Sequence, residues 1–213
     1  MRFLATTCLA LLMASPALAG APASDCEAHD PLLAKQGCTA ILSAGQDMQS
    51  LDFEAYNNRA LAELVLQEPK EALQDALAGI ALNPDNGPVH LTLARAYLAL
   101  NQPAKALDAV NQALTLSPNE SGSYVLLGKL QLARGDWHAA VAEENRALQR
   151  DPGDADAYMA RAMAEVVGGD LKTALADANK ASSLGGEDPR VHLIRGLAAA
   201  AAENWEEIGR AHV

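Results

Sequence analysis

Three prolines in this chain stand at equal intervals: Pro84, Pro118 and Pro152, with 118 − 84 = 34 and 152 − 118 = 34. A step of that length, kept without slippage, means that one structural unit is copied along the chain. Such units bury their apolar faces only against one another. Each proline follows a polar residue suited to ending a helix, Asn83, Ser117 or Asp151, and the next position of the series is Gly186. Other columns keep the same step. A ring recurs at Tyr56, His90, Tyr124, Tyr158 and His192, and a tiny residue follows each, at Ala60, Ala94, Gly128, Ala162 and Gly196. Alanine recurs at Ala72, Ala106, Ala140 and Ala174, each followed by an apolar branched residue: Leu73, Leu107, Val141 and Leu175. A further small residue recurs at Gly79, Ala113, Ala147 and Ala181.

Inside each unit the apolar spacing is helical. In the third unit Tyr124, Leu127, Gly128 and Leu130 mark a first helix, Arg134-Gly135-Asp136 a turn, and Ala140, Val141, Ala147 and Leu148 a second helix. Pro69 and Pro103 open second helices, where a missing N–H costs little. The spacing predicts helix pairs near 53–66/69–81, 87–100/103–115, 121–134/137–149 and 155–168/171–183, with no strand. Half the residues are hydrophobic but only 4% are aromatic. That balance suits helices whose backbones approach closely through small side chains, with the ring column filling the remaining space.

The pattern resembles the tetratricopeptide repeat, a helix–turn–helix unit, on Tyr124, Leu127, Gly128, Ala140, Ala147 and Pro152 of the third unit, and the likeness runs from about Leu51 to Trp205. It implies an all-α fold, a right-handed α-solenoid of helix–turn–helix tetratricopeptide repeats, with four full units and a truncated fifth over residues 51–207. Some positions depart from it. Arg59, Arg161 and Arg195 stand where Leu93 and Leu127 stand, and Gly79 inside a helix costs about 1 kcal/mol relative to alanine.

The N-terminus carries a basic Arg2, an apolar stretch from Phe3 to Ala14, and Ala17-Leu18-Ala19 before Gly20. This is the three-part pattern of a secretory signal peptide over residues 1–19. Cys8 lies inside the apolar stretch after Thr6-Thr7, which does not suit lipidation. No run of 18 apolar residues exists to span a membrane after cleavage. Cys26 and Cys38 then remain as an isolated pair in an oxidising compartment, expected to form one disulfide rather than a metal or CxxC redox centre. They also fall in register, since 60 − 34 = 26 and 72 − 34 = 38. A degenerate leading unit over residues 20–50 is therefore expected to cap the solenoid, with a loop closure contributing roughly 3 kcal/mol. The segment from Asp25 to Thr39 resembles the start of secreted bacterial tetratricopeptide proteins, which implies a periplasmic or secreted location.

At the other end the alanine column meets Ile208, and Glu207 to Val213 can be back-translated into the start of a common short-read sequencing adapter. Residues 208–213 are expected to be read-through, with the natural chain continuing.

Acidic residues number 27 and basic ones 16, so the net charge is 16 − 27 = −11, and −12 once Arg2 is removed. A chain this acidic does not suit phosphate backbones, which argues against nucleic acid as partner. No phosphate loop, dinucleotide fingerprint, GxSxG or HExxH is present, and no cofactor or metal is implied. His90 and His192 sit in the packing ring column, His138 is expected to be exposed, and Arg134-Gly135-Asp136 reads as an inter-helix turn rather than an adhesion motif. Glu143-Glu144 and Glu206-Glu207 read as solvated helix faces.

The family resemblance implies that first-helix side chains outside the packing columns line a concave groove. Transferred here, those positions are Asn57, Leu61 and Leu64; Leu91, Arg95 and Leu98; Val125, Lys129 and Leu132; and Met159, Met163 and Val166. The set is mostly apolar, with adaptable methionines and two cations, and each member has packing against the neighbouring repeat as its alternative. Relatives that clamp a terminal carboxylate use lysine and asparagine at several of these positions, and only Asn57 and Lys129 are of those types. Apolar anchors suit a helix or extended peptide laid in the groove, and the adjacent cations Arg95 and Lys129 suit an acidic group on it. The expected function is a non-enzymatic exported scaffold or adaptor that binds a protein or peptide. The alternative is the recognition part of a longer periplasmic peptidase or cell-wall enzyme.

Overall fold

In the computed structural model, which describes residues 22–44, 49–185 and 188–211, most helices begin where the sequence supplies a proline or a capping oxygen. The signal-peptide segment lies outside the described residues. The helices are α1 (Pro22–Cys26), α2 (Pro31–Ser43), α3 (Gln49–Val65), α4 (Pro69–Leu82), α5 (Gly87–Ala99) and α6 (Pro103–Leu116). They continue with α7 (Ser121–Ala133), α8 (Trp137–Arg150), α9 (Ala155–Gly168), α10 (Leu171–Gly185) and α11 (Pro189–Ala211). No strand occurs among the described residues. The four central pairs follow the spans read from the spacing.

Capping is periodic as well. Asn86 and Asp154 cap the first helices α5 and α9, each accepting a backbone N–H through its side chain. Glu120 holds the same column at α7 but makes no such bond, so its carboxylate is left over. Second helices start in two ways: with proline in α4 and α6, and with a capping aspartate, Asp136 or Asp170, in α8 and α10. The turn between the helices of a unit needs a left-handed residue each time. Gly135 and Gly169 supply it at φ 85°, where glycine is unstrained, and in the two preceding units Gln67 and Asn101 take φ 62° and 56° in the same column.

Each helix packs on the next, and the first helices of adjacent units also touch: α3 on α5, α5 on α7, α7 on α9. The result is an all-α solenoid of helix–turn–helix units. Ala60, Ala72, Ala94, Ala106 and Ala162 are fully buried where the two helices of a unit meet. The ring column has a second task. Tyr124 donates its hydroxyl to the Pro118 carbonyl at 3.0 Å, and His90 Nε2 lies 2.8 Å from the Pro84 carbonyl, so rings lock the inter-unit turn. His192, by contrast, is exposed on α11. That helix runs unbroken through Trp205 to Ala211, so the fifth unit is one long helix here.

Two expectations are corrected. Glu144 is not a solvated residue: it is 1% exposed, in a core column otherwise held by Ala76, Val110 and Ala178. Its neighbour Glu143 pairs with Arg146 on the surface, while the side chains of Glu206 and Glu207 lie outside the described residues. The arginines that break the leucine column do not merely weaken their units. Arg59 and Arg161 form two-bonded ion pairs with Asp75 and Asp177 on the second helices, at 2.5 and 2.8 Å in each case.

Cys26 and Cys38 lie at disulfide distance, with sulfurs 2.03 Å apart and Cα atoms 4.5 Å apart. They are buried with Ala55 under Ile41 and Leu42, so the pair ties the short α1 to α2 against α3. Gly37 permits this approach: a Cβ there would fall 2.5 Å from the Cys26 backbone nitrogen. Lys35 of α2 adds an ion pair to Glu63 at 3.4 Å and another to Glu68. Cys38→Ala should cost a few kcal/mol, roughly 2–4, felt at the N-terminal end because solenoid units couple chiefly to their neighbours. Amide exchange should show faster opening of α1–α3 and unchanged protection in α7–α10, and thiol labelling of unreduced exported protein should find neither cysteine free.

Candidate functional site

A cavity of about 690 Å³ opens between the first helices α5, α7 and α9. Leu98 of α5 and Val125 of α7 form its apolar part, and Arg95 and Lys129 enter from the same two helices. Four carboxylates complete it: Glu120 at the start of α7, Asp151 and Asp154 before α9, and Asp156 in the first turn of α9. Two cations and four anions give a local balance of 2 − 4 = −2.

Helix starts place these charges. The turn after each second helix brings the next N-cap column beside the preceding first helix. Asp154 caps α9 and also accepts the Ser121 hydroxyl at 2.9 Å, and Asp151 accepts the Gly153 N–H at 2.8 Å. Those two carboxylates are engaged. Glu120 caps nothing, and Asp156 faces Arg190 only at 4.0 Å, with its side chain 75% exposed. Neither Arg95 nor Lys129 makes a hydrogen bond or ion pair with a described residue. Gly122 gives Arg95 its room, since a Cβ there would meet the guanidinium at 3.1 Å. Arg95 counts as exposed by surface area, yet the cavity walls strip part of its hydration and lower its pKa. The carboxylates of Asp156, Glu120 and Asp154, in that order, oppose this, and the group stays cationic.

The expected groove residues divide by column. Leu91, Val125 and Met159 are 5, 4 and 1% exposed, taken up by packing between neighbouring first helices, so Leu91 has almost no surface for a partner to protect. Asn57 is half-buried, and its side-chain oxygen accepts the Thr92 hydroxyl at 2.7 Å, tying α3 to α5. Leu61, Lys129 and Met163 are half-buried and Arg95 is exposed, one column along. Leu64, Leu98, Leu132 and Val166 are half-buried in the next. Leu61 also lines a second cavity of about 410 Å³ with Val65 and His29, against the cap.

The carboxylates of the cavity are absent from the groove positions inferred from the sequence, because they come from helix ends, the starts of α7 and α9 and the end of α8, and not from the groove columns of the first helices. The signal was present: Asn86, Glu120, Asp154 and Asp188 keep the same 34-residue step, since 120 − 86 = 34 and 154 − 120 = 34. Among the described residues no cluster of three histidine, cysteine or acidic side chains could hold a metal ion. No described helix is long and apolar enough to cross a membrane.

A sequence profile of the tetratricopeptide repeat matches residues 91–155 and 125–190. No curated protein matches the chain. Among solved structures it is similar to TTC0263, a thermophilic protein of such repeats in Thermus thermophilus. The two are 21% identical, with a TM-score of 0.69 over 80% of this chain and 91% of that one. It is similar to MamA at 17% identity, with a TM-score of 0.57 over 78% and 95%. Its similarity to the APC/C hetero-tetramer Cut9–Hcn1 is at 14% identity, with a TM-score of 0.73 over 85% of this chain and 39% of that one. These likenesses concern the fold.

Proposed function

Because the chain is a tetratricopeptide-repeat protein, we propose that it is an exported scaffold or adaptor that binds a protein or peptide segment along its first helices. The repeats make it a protein-interaction domain, and scaffolds of this family are typically non-catalytic. One observation carries the choice of surface. The two half-open columns, Leu61 to Met163 and Leu64 to Val166, continue through all four units and meet in the cavity at Leu98. Apolar side chains at this spacing suit the anchors of a helix or extended strand laid across adjacent repeats.

Export rests on the three-part N-terminal pattern and on the cysteine pair, which a periplasmic or extracellular setting would keep oxidised. The test of the surface is a footprint. Hydroxyl-radical labelling with a partner recovered from the native envelope should protect Leu98, Leu132 and Met163. Arg95→Glu with Lys129→Glu should weaken that complex about tenfold or more without changing the helical signal, since neither side chain packs in the core. Protection confined to the second helices α6, α8 and α10 would overturn the reading.

A further inference from the structure

The cavity between α5, α7 and α9 brings together charges of both signs that do not satisfy one another. Among the described residues Arg95 and Lys129 make no hydrogen bond or ion pair, Glu120 makes no capping bond, and Asp156 has only a distant arginine. Elsewhere the fold pairs such groups closely: Arg59 with Asp75, Arg161 with Asp177, Arg190 with Asp188. Within the cavity the same residue types are held apart on three different helices, with Glu120 at the start of α7 and Asp156 at the start of α9.

A purely acidic ligand fits this arrangement poorly. It would meet two cations but also a local excess of carboxylate, in a chain of net charge −11. A purely basic ligand would gain from the carboxylates and be opposed by Arg95 and Lys129. Resting on the peptide-binding reading above, we propose that the cavity recognises a predominantly basic peptide segment carrying one acidic side chain. The acidic side chain meets Arg95 and Lys129, and flanking lysines or arginines meet Glu120 and Asp156. Opposite charges matched across a cavity steer encounter and fix register, while like charges brought together reject the wrong sequence. Leu98 supplies the apolar floor under the acidic residue.

The test uses the protein with its cap and four synthetic fluorescein-labelled peptide pools of one length on an alanine–leucine background. One carries a glutamate flanked by lysines, one the glutamate alone, one the lysines alone, and one neither. In low salt the mixed pool should bind at least about tenfold tighter than any other. Arg95→Gln with Lys129→Gln should remove the preference for the glutamate and keep that for lysine. Glu120→Gln with Asp156→Asn should do the reverse. Glutamate-only binding as tight as mixed would show that the carboxylates are not read, and lysine-only binding as tight would show that the cations are not read; either overturns the proposal. Equal binding of all four pools with a first-helix footprint would overturn it while leaving the peptide-binding reading intact. A footprint on the second helices, or no binding by the mixed pool, would overturn both the charge assignment and its location.

Discussion

Gly128→Ala should destabilise the protein by about 1–3 kcal/mol, although alanine is the better helix former and fills the equivalent column in three other units. The reason lies across the helix pair. A Cβ at position 128 would fall 2.3 Å from Glu144 Oε1 and 3.2 Å from the Ala140 carbonyl oxygen. Glu144 is 1% exposed and has nowhere to swing, and its Oε2 has no hydrogen-bond partner. Units one, two and four have Ala60 against Ala76, Ala94 against Val110 and Ala162 against Ala178; unit three has glycine because it has the glutamate. The same substitution in a Glu144→Ala background should therefore be neutral or stabilising by up to about 1 kcal/mol. Urea melts of the four proteins measure the coupling. Additive effects would show that the glycine and the glutamate do not share that space.

The same carboxyl sets a pH dependence. Burial pushes Glu144 up to about 9, with Asp154 and Glu143 adding to the shift and Lys129 and Arg161 opposing it. Burial likewise raises Glu165, reinforced by Asp177, to about 7. Each folded-state pKa lies above the ordinary carboxylate value, so the folded protein holds a proton that the unfolded chain has released. That contribution is complete below about pH 4.3 and is lost as pH rises, through about 7 for Glu165 and about 9 for Glu144. Between about pH 6 and 9 the native protein should lose stability more steeply than Glu144→Gln, which keeps the shape without the ionisation. Parallel melting curves would refute the assignment.

The repeat was legible because its strongest constraints are local: a proline, a tiny residue and a ring at one step determine where helices stop and where they touch. The cysteine pair was legible for the same reason, since 26 and 38 fall in the columns of closest approach. Glu144 was not. Beside Glu143 in a polar helix its sequence context suggests solvent, and only the coincidence with Gly128 in the facing column gives it away. The ion pairs were half legible. Arg59 and Arg161 stand out as departures from leucine, but their meaning lies sixteen residues on, where Asp75 and Asp177 interrupt a column that is alanine in unit two. The cavity mixes both kinds of signal, with cations from first-helix columns and carboxylates from helix ends.

Removing one side of such an ion pair should produce the largest single loss. Arg161 donates to both oxygens of Asp177, bridges to Asn145 at 2.7 Å, and lies 5.5 Å from the Tyr158 ring centre. Asp177 is 6% exposed and Glu165 beside it 8%, with Glu165 Oε2 unpartnered. Arg161→Ala would leave those carboxylates without their cation and open a gap between α9 and α10, at a cost of about 3–5 kcal/mol. The repeat itself supplies the rescue, because unit two holds Leu93 and Ala109 at the equivalent positions, with 161 − 93 = 68 and 177 − 109 = 68. Arg161→Leu with Asp177→Ala should recover most of the loss, since a well-packed apolar pair replaces a buried ion pair at little cost. Urea unfolding would give the sizes, and amide exchange should confine the single variant's effect to α8–α11. A double variant as unstable as Arg161→Ala would mean that the units are not interchangeable in this column. Full recovery would mean that the ion pair adds little net stability there and that its presence in units one and four serves something other than holding the helices together.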